Sequence, residues 1–280
     1  MALRQVSVKD IAGKVRDLCI SAACNLEPDV AKALKAAFKS EESQLGREVL
    51  GQIVENFEIA ESENLPMCQD TGIAVFFIEV GREVSLDGSL EDAINEGVRQ
   101  GYRDGYLRKS VCHPLKRINT GDNTPAIIHT SFVEGDKIKI KIAPKGAGSE
   151  NMSRLKMLKP AEGVEGIKAF VVETIKDAGG NPCPPIVVGL GIGGSFEKCA
   201  ILAKKALLRP VGSVNPDEDL KKLEAELLEK VNDLGIGPMG FGGRITALGV
   251  HIEAHPCHIA SLPVAINIQC HAGRHKEAVI

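Results

Sequence analysis

The sequence has no tryptophan, two tyrosines and eight phenylalanines among 280 residues. That poverty removes the aromatic platforms on which single-stranded nucleic acid stacks. It also leaves the core to Val, Ile, Leu and Ala. A charge excess is missing too: 34 Lys and Arg stand against 37 Asp and Glu, a formal net charge of -3. No broad basic footprint for nucleic acid is therefore expected. No apolar run reaches the roughly 18 residues of a membrane span. The opening "MALRQVSVKDIAGKVRDLCISAAC" carries charges throughout and lacks the apolar centre of a signal peptide. A cytoplasmic protein is the expectation. There is no C-x-x-C pair, which argues against a zinc ribbon. The eight cysteines form no compact disulfide framework, so reduced thiols are expected. Internal repeats, low-complexity segments and shifts of composition are absent as well.

What is present is an ordinary globular balance, 44% apolar and 25% charged, long enough for one large or two modest domains. Residues 8–62 show Ala, Leu, Val and Ile at three- and four-residue steps, which predicts helices. One should open near Pro28 with Asp29 in its first turn. "GIAVFFIEVG" reads as a strand. "SLEDAINEGVRQGYRDGYL" reads as a helix capped by Ser89, with Asp92 three residues on. "PAIIHTSFVEGDKIKIKIAPKG" predicts a hairpin turning at Glu134-Gly135-Asp136. A helix over "AEGVEGIKAFVVETIKDAGG" should end at its glycine pair. "PPIVVGLGIGG" predicts a buried strand. Helices over "SFEKCAILAKKALL" and "PDEDLKKLEAELLEKVNDLG" follow, then strands over "RITALGVHIEAHP" and "LPVAINIQC". The expected fold class is α+β (mixed α/β): a helical N-terminal region, about 1–62, then strand-bearing layers over about 63–280 with cysteines on loops.

Several stretches could carry chemistry. "ENLPMCQDTG" sets Cys68, Gln69, Asp70 and Thr71 in a row ahead of a strand. It is either a polar turn that holds a thiol or part of an active site. Gly189, Gly191 and Gly194 satisfy G-x-G-x-x-G between a strand and a helix, a pattern also seen at dinucleotide sites. The segment beyond that helix is not a clear strand ending in an acidic residue, so a tight strand-to-helix turn is the stronger reading. "KGAGSENMS" is a second Gly-rich loop, suited to a close backbone approach or merely to a turn. "RINTGDNTPAIIH" reads as a polar loop, and "YLRKSVCHPL" offers Arg108, Lys109, Cys112 and His113. "HIEAHPCHIASLPVAINIQCHAGRH" holds five of the seven histidines. Cys19, Cys24 and Cys199 lie in helical patterns, where a buried thiol is the default. Cys68, Cys183 and Cys270 occupy turn-like places, as cluster ligands drawn from separate loops do. Cys112 and Cys257 lie in loops and are not excluded by position.

"MCQDTG", "RINTGDNTPAIIH", "KGAGSENMS", "NPCPP", "GFGG" and "SLPVAINIQCHAGRH" occur in this order. With these motifs the chain resembles the alpha subunits of two-subunit class I fumarases and the related L-tartrate dehydratases, over nearly its whole length. The resemblance implies a single iron–sulfur hydro-lyase domain over residues 1–280. It implies a [4Fe–4S] cluster held by Cys68, Cys183 and Cys270. Asp70 and His258 would be catalytic residues. Gln69, Asp70, Arg108, Gly146 and Gly148 would bind the dicarboxylate substrate. The implied reaction is hydration of fumarate to L-malate, a step of the tricarboxylic acid cycle, with dehydration of L-tartrate to oxaloacetate as the alternative. A beta subunit would complete the active site, in an oxygen-sensitive alpha2-beta2 assembly. Neither nucleic acid nor membrane is an expected partner. A non-catalytic cluster- or nucleotide-binding subunit is the competing reading from another class.

Overall fold

The computed structural model describes residues 3–280. Strand β1 (Arg4–Val6) leads into helices α1 (Val8–Cys24), α2 (Pro28–Ser40) and α3 (Gln44–Glu63). Next come β2 (Ile73–Gly81), β3 (Val84–Leu86), α4 (Leu90–Asp104), β4 (Ile127–Val133) and β5 (Ile138–Lys145). A one-turn α5 (Ala147–Glu150), β6 (Arg154–Leu158), α6 (Gly163–Ala178), β7 (Ile186–Gly193), α7 (Phe196–Ala206) and α8 (Glu218–Asn232) follow. β8 (Ala247–His255), β9 (Leu262–Gln269) and β10 (Lys276–Val279) close the chain. The fold is α+β, as the periodicities predict. α2 opens at Pro28, and the Ser89 hydroxyl accepts the Asp92 N–H at the start of α4. Within the stretch expected to be helical, β1 is an exception: it pairs in parallel with β3.

Contacts divide the chain into two units. The first comprises the chain up to Glu27, Phe57–Gly146 and Arg274–Ile280. Its main sheet has the order β10-β5-β2-β4. β5 alternates, with Ile138, Ile140 and Ile142 buried and Lys139 and Lys141 on the other face. The isoleucines join Phe76, Ile78, Ile11, Val15, Ile94 and Val98 in one apolar cluster, so α1 and α4 cover a single face. Each such side chain contributes about 1.5–3 kcal/mol through burial.

The expected hairpin is not formed. Both strands exist, but β2 lies between them, parallel to β4 and antiparallel to β5. The Glu134–Asp136 turn therefore passes over the end of β2 instead of closing a ladder. There the Gly81 N–H donates to the Lys137 carbonyl and the Glu83 N–H to that of Gly135. A Cβ on Gly81 would stand 2.3 Å from the Gly135 oxygen, so only glycine admits the crossing. Two alternating strands with a short turn specify strands but not whether the partners are adjacent.

The second unit comprises Pro28–Asn56 and Ala147–Gly273. Its sheet has the order β6-β9-β7-β8, with β7 parallel to β8 and antiparallel to β9. Residues of α6 and α8 pack with those of β7, β8 and β9 in the larger cluster. Cys199 and Ala203 of α7 meet Ala265 of β9 in a separate, smaller one. β7 is buried almost throughout, the pattern of a strand covered on both faces.

Candidate active site

In the first unit, the turn between α3 and β2 carries Cys68, Gln69, Asp70 and Thr71. Its entry is fixed where the Met67 N–H donates to the Ala23 carbonyl at the end of α1, 3.0 Å. Its exit is fixed more heavily. The Tyr102 hydroxyl donates to the carbonyls of Thr71 and Gly72, at 3.0 and 2.9 Å. The Asn123 amide donates to Gly72 as well, at 3.2 Å. Burial pushes the Tyr102 phenol well above its ordinary range, so it stays a donor. Gly72 has φ +81, and a Cβ there would lie 2.7 Å from the Lys145 nitrogen. Any other residue would push the turn off β5.

Arg108 and the turn are tied through the backbone, since the Thr71 hydroxyl donates to the Arg108 carbonyl at 2.9 Å. Asn123, fully buried, accepts from the N–H groups of Ser110 and Val111 through Oδ1. One side chain thus links the Arg108 loop to the Asp70 turn. The Asp70 Oδ1 accepts the Gly72 N–H at 3.0 Å. Its Oδ2 lies 3.1 Å from where a Cβ of Gly146 would stand. Arg274 donates from Nη1 to the Asp70 carbonyl, 2.7 Å. Asp70, Gly146 and Arg274 are therefore brought together, and Arg108 is held to the same turn. Cys68 is partly exposed, its sulfur 3.6 Å from the Gln69 amide oxygen.

Three residues of this arrangement, Tyr102, Asn123 and Arg274, carried no assigned role in the sequence. Tyr102 was legible only as one of two tyrosines. Asn123 was hidden in a polar run where full burial was not expected. Arg274 falls within the motif "SLPVAINIQCHAGRH", but nothing in that motif marks it as a contact of Asp70.

In the second unit, Cys183 and Cys270 lie on loops joined by His271. The His271 N–H donates to the Cys183 carbonyl at 3.3 Å, and its Nδ1 lies 3.0 Å from the same oxygen. Cys183 has φ +56, so its loop holds a cysteine in a backbone region that favours glycine. Gly148 faces this loop, with the Asn181 carbonyl 3.4 Å from the position of a Cβ. His258 stands on the loop between β8 and β9. Its Nδ1 accepts the Ala260 N–H at 3.1 Å. Neutral His258 therefore carries its proton on Nε2.

The eight cysteines form no disulfide; three are buried and five are exposed to some degree. Cys19, Cys24 and Cys199 are buried, and burial raises each thiol above its ordinary value, as for inert core residues. Cys68, Cys112, Cys183 and Cys270 are partly exposed and Cys257 is exposed, all outside helices and strands. The Cys183 and Cys270 sulfurs lie 4.0 and 3.8 Å from the carbonyls of Asn181 and Ala272. Soft, partly exposed thiols on loops have the donor chemistry that iron–sulfur clusters use. Among the described residues no three His, Cys, Asp or Glu side chains form a group suited to a metal ion.

The G-x-G pattern has a structural explanation. Gly189 and Gly191 lie inside β7, not in the turn after it. A Cβ at Gly189 would be 2.2 Å from the Ala203 oxygen, and one at Gly191 1.9 Å from the Cys199 oxygen. These glycines let the α7 backbone lie against the strand. They do not form a phosphate-binding turn.

Loops that gather a thiol, an amide, a carboxylate and an arginine suit the binding and deprotonation of a small acid. A model of the family described as Fumarate hydratase (Fumerase) matches residues 12–279. The chain is thereby an enzyme of the hydro-lyase class, one that moves water onto or off a carbon–carbon bond. It belongs to the Fumerase family. A putative L(+)-tartrate dehydratase subunit alpha from Methanocaldococcus jannaschii is 50% identical over 272 residues, covering 94% of this chain and 95% of that protein. The L(+)-tartrate dehydratase subunits alpha of Escherichia coli (strain K12) and Shigella boydii serotype 4 are each 34% identical over 275 residues. They cover 97% of this chain and 91% of each relative. No helix among the described residues is long and apolar enough to cross a membrane.

Proposed function

We propose that this chain is the alpha subunit of a two-subunit hydro-lyase that removes water from a four-carbon hydroxy-dicarboxylate, with L(+)-tartrate as substrate. The similarity at 50% identity over nearly both whole chains to a protein named for that activity supports this reading most strongly. Hydration of fumarate is the second reading, favoured by the description of the family itself.

Dehydration requires two carboxylates to be held, a C–H proton to be taken and hydroxide to depart. Arg108 offers a planar fork that matches a carboxylate. Gly146 and Gly148 allow a substrate close to the backbone, and the Gln69 amide can donate to an oxygen. Asp70 offers a carboxylate beside Gly146, and His258 a proton on Nε2. A [4Fe–4S] cluster held by Cys68, Cys183 and Cys270 would, when bound, supply a Lewis acid for the departing hydroxide. The remaining substrate contacts fall to a beta subunit, in an alpha2-beta2 complex to which this chain brings residues 1–280 as one catalytic domain. We place the complex in the cytoplasm and expect it to lose activity in oxygen.

Anaerobic kinetics of the complex with its beta subunit test the reading. Turnover of L-tartrate with a kcat/KM at least tenfold above that for fumarate is expected. The reverse order selects the second reading, and turnover of neither contradicts both.

A further inference from the structure

Arg274 is the largest of the fully buried side chains, 2% exposed. A guanidinium taken out of water is costly unless it is paired and hydrogen-bonded. Packing alone would be served better by an apolar side chain, so the charge calls for a task. Its observed contacts run to one place. Nη1 donates to the Asp70 carbonyl across 204 residues of sequence. Nη2 lies 3.5 Å from the Cβ position of Gly146, the same point that the Asp70 Oδ2 approaches to 3.1 Å. Both charges also act on the Tyr102 hydroxyl, which closes the turn around Asp70. Nε has no hydrogen-bond partner. The side chain thus tolerates an unsatisfied donor while one nitrogen holds the Asp70 backbone.

We propose that Arg274 is the positioning residue of the hydro-lyase reaction, fixing the Asp70 turn so that its carboxylate stands beside Gly146. This rests on the assignment of Asp70 to the active site. Asp70 sits on a loop, and a loop carboxylate keeps one orientation only where the turn that carries it is held. Tyr102 and Asn123 hold the turn at Thr71 and Gly72, and Arg274, from a segment remote in sequence, holds it at Asp70 itself. Arg274 does not touch substrate.

A double-mutant cycle with Asp70→Asn in the assembled, cluster-loaded complex tests this. Arg274→Met should lower kcat on the preferred dicarboxylate about 100-fold and change KM less than threefold. Arg274→Lys keeps the charge and loses the fork, and should recover about tenfold of that loss. In the Asp70→Asn background either Arg274 change should cost less than threefold more, because its route of action is already gone. Iron content and thermal midpoint are measured beside each variant. If Arg274→Met does not fold, the Lys arm of the cycle decides alone. Additive losses in an active complex, or a KM rise without a kcat loss, overturn the positioning role and leave the hydro-lyase reading standing. A wild-type complex that carries its cluster but dehydrates neither substrate overturns that reading, and the role of Arg274 with it.

Discussion

His251 shows how one buried side chain sets a pH dependence. It lies in β8, 2% exposed, and its Nδ1 has no hydrogen-bond partner. Burial, aided by the Arg209 cation and opposed by Glu224 and Asp29, pushes it down to about 4. The folded chain thus holds it neutral where the unfolded chain, at about 6.5, already binds a proton. The stability it contributes is complete above pH 6.5 and is lost as pH falls toward 4. Between pH 7 and 4 the chain should lose about 3 kcal/mol that a His251→Leu variant does not lose. Urea unfolding at the two pH values measures this. Glu41 acts at lower pH. Its Oε1 accepts from Ser43 and Arg244, and its Oε2 from Ile245. Burial alone would raise its pKa, but those N–H groups outweigh it and hold it below the usual carboxylate range. Its contribution is present above about pH 4.3 and disappears as pH falls through the lower folded value. Glu41→Gln leaves one N–H facing an amide NH2 and should cost about 1–3 kcal/mol at pH 7, read from urea midpoints.

At the scale of elements, the contact between α7 and β7 depends on having no side chain at two positions. Gly191→Ala places a carbon 1.9 Å from the Cys199 oxygen, so the helix must leave the strand. A loss of about 3 kcal/mol or more, or failure to fold, is expected in thermal unfolding. The same region shows what was legible in the sequence. Periodicity located α1 to α4 and α6 to α8, and the β-branched runs located β2, β7 and β9, because each buries a face whose spacing is local. β1, β3, β6 and β10 were not legible: they span 3 to 5 residues, too short for a pattern. The order of β5, β2 and β4 was not legible because a crossing over Gly81 depends on residues far along the chain. The family resemblance pointed to Asp70 and Arg108, and its motifs also contain Asn123 and Arg274 without marking what they do. The supports of that turn, Tyr102, Asn123 and Arg274, come from separate segments, and only folding joins them.

For the whole molecule, the proposed sharing of the active site with a beta subunit makes turnover depend on both chains. The purified chain alone should bind its cluster yet turn over L-tartrate at under about 1% of the rate of the complex with its beta subunit. Equal rates would contradict a shared active site. Turnover in turn depends on the proposed iron–sulfur cluster of Cys68, Cys183 and Cys270. Anaerobic iron and sulfide analysis of the reconstituted chain, beside Cys68→Ser, Cys183→Ser and Cys270→Ser, tests it most directly. About four irons and four sulfides per wild-type chain are expected, with loss of the cluster in each variant. A wild-type chain that binds no iron under conditions that load a control cluster protein, or three variants that keep theirs, would contradict it.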